Sequence, residues 1–181
     1  MKMRKLTNEE LLKERISVEE SKIINRHPVS IILHNIRSLY NVGSLFRTAD
    51  SALLNEIVLC GYTPHPPRKE IEKTALGAVD TVPWSYHKNI ETAIEISRSK
   101  GNKIFALELT DRKRPYYSLS KNDFPLSIVI GNELTGIDNH ILDLCDDSIE
   151  IPMYGVKHSL NVSIAAGISI FESIRIFHQS N

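Results

Sequence analysis

The chain has 181 residues, 41% of them hydrophobic and 24% charged, with 8 glycines and 8 prolines. That length is one ordinary domain with core enough to need no disulfide or metal staple, and the composition excludes disordered, collagenous and repeat-dominated chains. The 22 basic and 22 acidic residues cancel. A basic coat over the whole surface is therefore excluded, and nucleic-acid binding has to come from a local patch or from two patches brought together.

From Asn8 to Arg26 the sequence is charge-rich, with Leu11, Leu12, Ile16, Ile23 and Ile24 at roughly helical intervals. This predicts an amphipathic N-terminal extension, residues 1–27, ended by His27-Pro28. Val29 to Leu33 is a short continuous apolar run, the pattern of a strand buried on both faces. Val42, Leu45, Phe46, Ala49 and Leu53 then fall on one helical stripe. Ile57 to Cys60 is a second strand, Tyr62 to Glu70 a proline-rich loop, and Pro83 to Tyr86 a short edge strand. Ile90 to Ser99 is a helix closed by Gly101. Lys103 to Leu109 and Ser127 to Gly131 are further strands, separated by a basic-aromatic loop from Asp111 to Tyr117. Asp138 to Leu144 is a short helix, Ser148 to Ile151 a last strand, and Asn161 to Phe177 a long apolar helix. Strands alternate with helices, so the expected class is α/β with a mostly parallel sheet flanked by helices.

Cys60 and Cys145 form no CxxC pair or disulfide framework and read as buried free thiols of a reducing compartment. The N-terminus has no apolar core of a signal peptide, and no apolar run approaches the ~18 residues of a spanning helix. The expected setting is the cytoplasm, with no membrane partner. There is no GxGxxG turn, no GxxxxGK[ST] loop and no GxSxG elbow, and the seven histidines lack metal-ligand spacing. No metal site is expected.

Ligands of open α/β sheets sit beyond the carboxyl ends of the strands, and four polar clusters follow strands here: Asn35 to Arg47, Glu108 to Arg114, Gly131 to Gly136 and Met153 to Asn161. Taken singly, each has an ordinary reading. Arg47, about 140° round its helix from the Leu45/Phe46 stripe, is a solvated charge. Gly131 to Gly136 is a strand-to-helix turn. Ser159-Leu160-Asn161 is a helix N-cap. Asp111 to Tyr117, with Arg112, Lys113 and Arg114 beside Tyr116 and Tyr117, is a nucleic-acid contact or simply solvated surface.

Together they carry more. Asn41 to Ala52 (NVGSLFRTADSA), Ile128 to Ile137 (IVIGNELTGI) and Ile151 to Glu172 (IPMYGVKHSLNVSIAAGISIFE) occur in that order. They closely resemble the three signature motifs of the SpoU branch, also called TrmH-like, of the SPOUT RNA methyltransferases. Lys73 to Trp84 is similar to the same family, and the resemblance extends from Val29 to Phe177.

The resemblance implies a methyltransferase domain over residues 28–181 with a C-terminal trefoil knot, an exception to the rule that chains do not thread loops. It implies transfer of the methyl of S-adenosylmethionine to a ribose 2'-hydroxyl of tRNA or rRNA. By motif position Arg47, Asn41, Glu133, Ser159 and Asn161 are the catalytic set, and Leu107, Gly131, Ile151, Met153 and Leu160 hold the cofactor, largely through backbone groups. Arg47 is either the general base or an anchor that stabilises the forming alkoxide; a guanidinium with a pKa above ~12 fits the second role more easily. Glu133 then orients that arginine or the motif backbone. The family dimerises through the knot region. In the last helix Ile164, Ile168 and Phe171 form one apolar stripe, and Ala166, Ile170, Ile174 and Phe177 form another. One stripe packs on the sheet and the other on a second copy, or the helix is buried on both sides. A catalytically silent RNA-binding protein of the same fold is the alternative. The five motif residues, all intact, speak against it.

Overall fold

The computed structural model describes residues 3–13 and 15–179. In chain order the elements are α1 (Asn8–Lys13), α2 (Val18–Ser21), β1 (His27–His34), α3 (Leu39–Ser51), β2 (Leu54–Cys60), α4 (Lys69–Ala75) and β3 (Trp84–His87). Then follow α5 (Ile90–Ser99), β4 (Lys103–Leu107), β5 (Leu126–Ile130), α6 (Asn139–Leu142), β6 (Asp147–Ile149) and α7 (Val162–Gln179). The strands form one sheet in the order β3-β2-β1-β5-β4-β6, and every pairing is parallel.

The register explains the continuous apolar runs. Ile31 of β1 lies between Ile57 of β2 and Ile128 of β5. Successive side chains on a strand alternate faces. Val29, Ile31 and Leu33 accordingly pack with α3, α4 and α7, whereas Ile32 packs with α5 and α6. Both faces are covered, so the strand needs no polar positions. Each large aliphatic side chain fully withdrawn from water in this way contributes roughly 1.5–3 kcal/mol.

Several expectations are corrected. The N-terminal extension is two short helices, because Ser17 starts α2 afresh. The Ser17 hydroxyl accepts from Glu20 N at 3.1 Å and the Glu20 carboxylate accepts from Ser17 N at 2.7 Å. Its apolar residues do not form a buried stripe: Leu11, Leu12, Ile16, Ile23 and Ile24 are all exposed. Arg26 fastens the end of the extension to the sheet by donating to the carbonyls of Leu54 and Thr81. His27-Pro28 opens β1 rather than preceding it, since a proline in the first residues of a strand forfeits only one donor. Leu53 leaves the helical stripe. Helix α3 ends at Ser51 and Leu53 turns with φ 48 into β2, while Ala52 takes the inward place.

Helix α4 begins inside the expected loop, at Lys69, and runs on past its end at Glu70 to Ala75. It packs on α3 where Gly43 has no side chain; a Cβ there would collide with the Ile71 carbonyl and the Thr74 hydroxyl. The Thr74 hydroxyl also donates to the Tyr40 carbonyl at 3.1 Å. Glu108 and Leu109 lie past the end of β4, and β6 stops at Ile149, leaving Ile151 off the sheet. On α7, Ala166 and Ile170 are buried and Ile174 packs on the core, whereas Ile164 and Phe171 are 54% and 50% exposed. The outward stripe of this helix is uncovered in the single chain.

Candidate active site at the carboxyl edge of the sheet

Three segments meet beyond the carboxyl ends of β1, β4 and β5. They are the entry to α3, the turn from Gly131 to Gly136, and the stretch from Glu150 to Asn161 that leads into α7. Glu133 joins the first two. Its carboxylate accepts from Arg37 N at 2.8 Å, from Ser38 N at 3.1 Å and from Asn41 Nδ2 at 3.0 Å. Two of these donors belong to the chain entering α3, whose first turn carries amides with no helical partner.

Asn41 passes the connection on. Its Oδ1 accepts from Asn161 Nδ2 at 3.2 Å. The Asn161 side-chain oxygen in turn accepts from Ser163 N at 2.9 Å and from the Ser163 hydroxyl at 2.6 Å, so Asn161 caps α7. One relay, Glu133–Asn41–Asn161, therefore links all three motif regions. Burial pushes the Glu133 carboxyl up, but the bonds from Arg37 N, the Asn41 amide and Ser38 N outweigh it and hold the group below its ordinary range.

Arg47 stands apart from the relay. It lies on the exposed face of α3, and no bond joins it to Glu133, whose acceptors are taken up by the entry to α3. What Glu133 touches is the backbone of Arg37 and Ser38, just ahead of the first motif, and the Asn41 side chain.

Beside the relay is a cleft of about 390 Å³, a size that suits one small molecule. Leu107, Gly131, Ile151, Met153 and Leu160 all line it, as do Glu133 and Ser159, whereas Asn41, Arg47 and Asn161 do not. Gly131 is required by close approach, since a Cβ there would lie 2.5 Å from the backbone of Gly136. Glu108, Glu133 and Glu150 line the cleft together with His158, and among the described residues no lysine or arginine does. The backbone groups of Ile151, Met153 and Leu160 take no hydrogen bond from the rest of the described chain, so they are open to solvent or to a ligand.

The polar clusters after the strands contain Asn35, Glu108 and Asn132, but do not show what each of them braces. Asn132, 8% exposed, donates to the Asn35 carbonyl at 2.8 Å and to Tyr62 Oη at 2.6 Å, and its oxygen accepts from Leu134 N at 2.8 Å and Thr135 N at 3.1 Å. Its signal was the asparagine inside the second motif. Asn35 holds φ 57, a conformation asparagine tolerates better than most residues. Glu108 accepts from Ile137 N at 3.0 Å and pins the far side of the turn; it opens the polar cluster that follows β4, with no role assigned to it there.

Elsewhere, the basic-aromatic loop is largely neutralised. Arg112 and Arg114 pair with Asp147 at 3.1 and 2.6 Å, and Arg114 also with Asp123 at 3.0 Å. Burial pushes the Cys60 thiol up to about 12 and the Cys145 thiol to about 11, as for inert structural cysteines. Among the described residues no three His, Cys, Asp or Glu side chains gather as a metal site, and no helix is long and apolar enough to cross a membrane.

Residues 28–171 match the family model of the SpoU rRNA methylases. A TrmH-family protein of Staphylococcus haemolyticus is 32% identical over 82% of this chain and 59% of its own length. The 23S rRNA (guanosine-2'-O-)-methyltransferase RlmB of Vibrio parahaemolyticus is 31% identical over 82% of this chain and 59% of its own length. The chain thus spans about three fifths of these curated relatives. Among solved structures, an AdoMet-bound rRNA methyltransferase from Sinorhizobium meliloti superposes with a TM-score of 0.77 at 29% identity, over 86% of this chain and 59% of that one. The A. aeolicus TrmH/SpoU tRNA modifying enzyme superposes with a TM-score of 0.78 at 25% identity, over 94% of this chain and 86% of that one.

Proposed function

The chain belongs to the SpoU methylase family, and from that premise we propose that it is an S-adenosylmethionine-dependent methyltransferase acting on a ribose 2'-hydroxyl of tRNA or rRNA. The observation that carries this reading is the relay Glu133–Asn41–Asn161 standing beside the 390 Å³ cleft. The residues present fit the cofactor. Its sulfonium suits a cleft lined by three glutamates and no lysine or arginine, and its adenine edge suits free backbone groups at Ile151, Met153 and Leu160.

Bound there, the cofactor supplies an activated methyl whose leaving group is a neutral thioether, so no acid is required for its departure. The difficult partner is the ribose hydroxyl, which has to be aligned and to pass its proton to solvent water as its oxygen takes the methyl. Alignment alone is worth ~7 kcal/mol or more of a barrier. Arg47 anchors a phosphate of the RNA and places its N–H groups against the 2'-oxygen as charge develops there. Asn41 and Asn161 fix the relative positions of α3 and α7, Ser159 hydrogen-bonds the ribose from the cleft wall, and Glu133 holds the entry of α3 against the cleft.

The same reading takes residues 28–181 as the methyltransferase domain, 1–27 as an extension, and the cytoplasm as its location. It also includes the trefoil knot, which rests on the resemblance of residues 151–172 to the family's third motif. A homodimer is supported by the uncovered stripe of Ile164 and Phe171. Calorimetry with S-adenosylmethionine and no RNA tests the reading. Saturable binding and a raised melting temperature are expected, and no binding, or binding only of a nicotinamide cofactor, contradicts it.

A further inference from the structure

Most arginines of the folded body are spoken for. Arg98, Arg112, Arg114 and Arg175 are paired with Asp146, Asp147, Asp123 and Glu172, and Arg26 is spent on carbonyls. The α3–α4 face differs. The side chains of Arg37, Arg47 and Lys73 are exposed and take no hydrogen bond or ion pair from the described chain. Residues 37–51 and 68–75 together hold five basic and three acidic side chains; one of the acids, Asp50, is already engaged by the Thr81 hydroxyl. The zero net charge of the chain thus conceals a local surplus of cations.

An aromatic ring lies among them. Tyr40 is 50% exposed and directly precedes Asn41 of the relay. It shares a helix face with Arg47, seven residues and about 10 Å further along the axis. Lys73 is brought alongside by its neighbour Thr74, which donates to the Tyr40 carbonyl. Arg37 lies on the other side of Tyr40 in the chain, its amide held by Glu133.

We propose that the α3–α4 face is a track for unpaired RNA, with Tyr40 stacking the base next to the methylated nucleotide and with Arg37 and Lys73 binding the flanking phosphates. This rests on the reading of the protein as an RNA methyltransferase and adds the strand state of the substrate. An aromatic face is reached by a splayed base, not by one stacked inside a duplex. Exposed cations at intervals suit a phosphate backbone, and an aromatic ring between them suits single strands of any sequence.

The test is fluorescence anisotropy across a salt series with two probes: a short labelled single-stranded RNA of mixed sequence, and the same strand annealed to its complement. Wild-type protein binds the single strand more tightly. Arg37→Ala and Lys73→Ala each reduce the slope of log affinity against log salt by about 0.7, the value for one lost single-strand phosphate contact. Tyr40→Ala weakens single-strand binding about fivefold or more, from the usual strength of base–aromatic stacking, and Tyr40→Phe restores it. Arg112→Ala, in the neutralised loop, changes neither slope nor affinity. S-adenosylmethionine binding, measured on every variant, reports that the fold is intact.

Equal affinity for the duplex overturns the proposal, as do wild-type slopes in the Arg37 and Lys73 variants or a larger effect from Arg112→Ala. A wild-type protein that binds cofactor but no RNA at all contradicts the RNA methyltransferase reading as well.

Discussion

Replacing Glu133 by glutamine asks whether charge holds the second-motif turn to α3. The carboxylate accepts three N–H donors, from Arg37, Ser38 and Asn41. An amide has one acceptor oxygen. With that oxygen at the Oε1 position the bonds from Ser38 N and Asn41 Nδ2 survive, and the new NH₂ group faces Arg37 N, a donor against a donor. The flipped amide loses two bonds instead, so the first arrangement is adopted.

A bond to a charged acceptor contributes about 1.5–3 kcal/mol. Arg37 is exposed, so water replaces part of what is lost and the figure falls to about 1–2 kcal/mol. The two remaining bonds weaken on becoming neutral, which brings the total to about 2 kcal/mol. For a chain of this length that lowers the melting temperature by about 4–8 °C.

The pH dependence has a definite sign. The folded state holds the Glu133 carboxyl below its ordinary value. Its stabilisation is therefore complete above the unfolded value of about 4.3 and is lost as pH falls through the folded value. Glutamine does not titrate. Urea unfolding, followed by the fluorescence of the single tryptophan, Trp84, should show the full gap between wild type and variant at neutral pH. That gap should narrow below about pH 4. A gap under about 0.5 kcal/mol, or one that stays constant through the acid range, would refute the reasoning.

Gly131→Ala should cost about 1–3 kcal/mol, because the added methyl meets the Gly136 backbone. It should also weaken S-adenosylmethionine binding in calorimetry by deforming the cleft wall. Ile168→Glu or Phe171→Glu should give a folded monomer in sedimentation equilibrium at micromolar concentration, where wild type sediments as a dimer; a wild-type monomer would remove the proposed interface. Cys60, with its thiol at about 12, should resist a thiol reagent at mildly alkaline pH in the native protein and react once the chain is unfolded in urea.

The continuous apolar runs of β1, β2 and β5 were legible because strands buried on both faces carry no polar positions. Helix α5 was legible with Gly101 as its closing signal, at φ 88. Helix α4 was hidden behind Pro64, Pro66 and Pro67; seven residues are too few for helical periodicity to declare itself, and their stability comes from packing on Gly43. Leu53 fitted the stripe by spacing but fell beyond the helix end, since spacing does not register a left-handed turn.

The motif residues could be placed from their resemblance to the family, and the clustering of three segments at one sheet edge followed from the parallel topology. The partner of Glu133 could not be read that way. Which donors a carboxylate meets depends on how loops 95 or 96 residues apart in sequence pack together. The bracing by Asn132, Asn35 and Tyr62 was invisible for the same reason.

Single-turnover transfer of a labelled methyl from S-adenosylmethionine to cellular RNA, with digestion to nucleosides, tests the central claim most directly. Wild-type protein should place the label on a ribose 2'-oxygen and none on an RNA with a 2'-deoxy sugar at the target. Arg47→Ala, exposed and without a structural partner, should keep its stability within about 0.5 kcal/mol. It should also keep its cofactor affinity, yet transfer several orders of magnitude more slowly as alignment and charge stabilisation are lost together. Arg47→Lys should recover little, because an ammonium lacks the planar fork. Label on a base, label on the deoxy substrate, or a near-wild-type rate for Arg47→Ala would contradict the account.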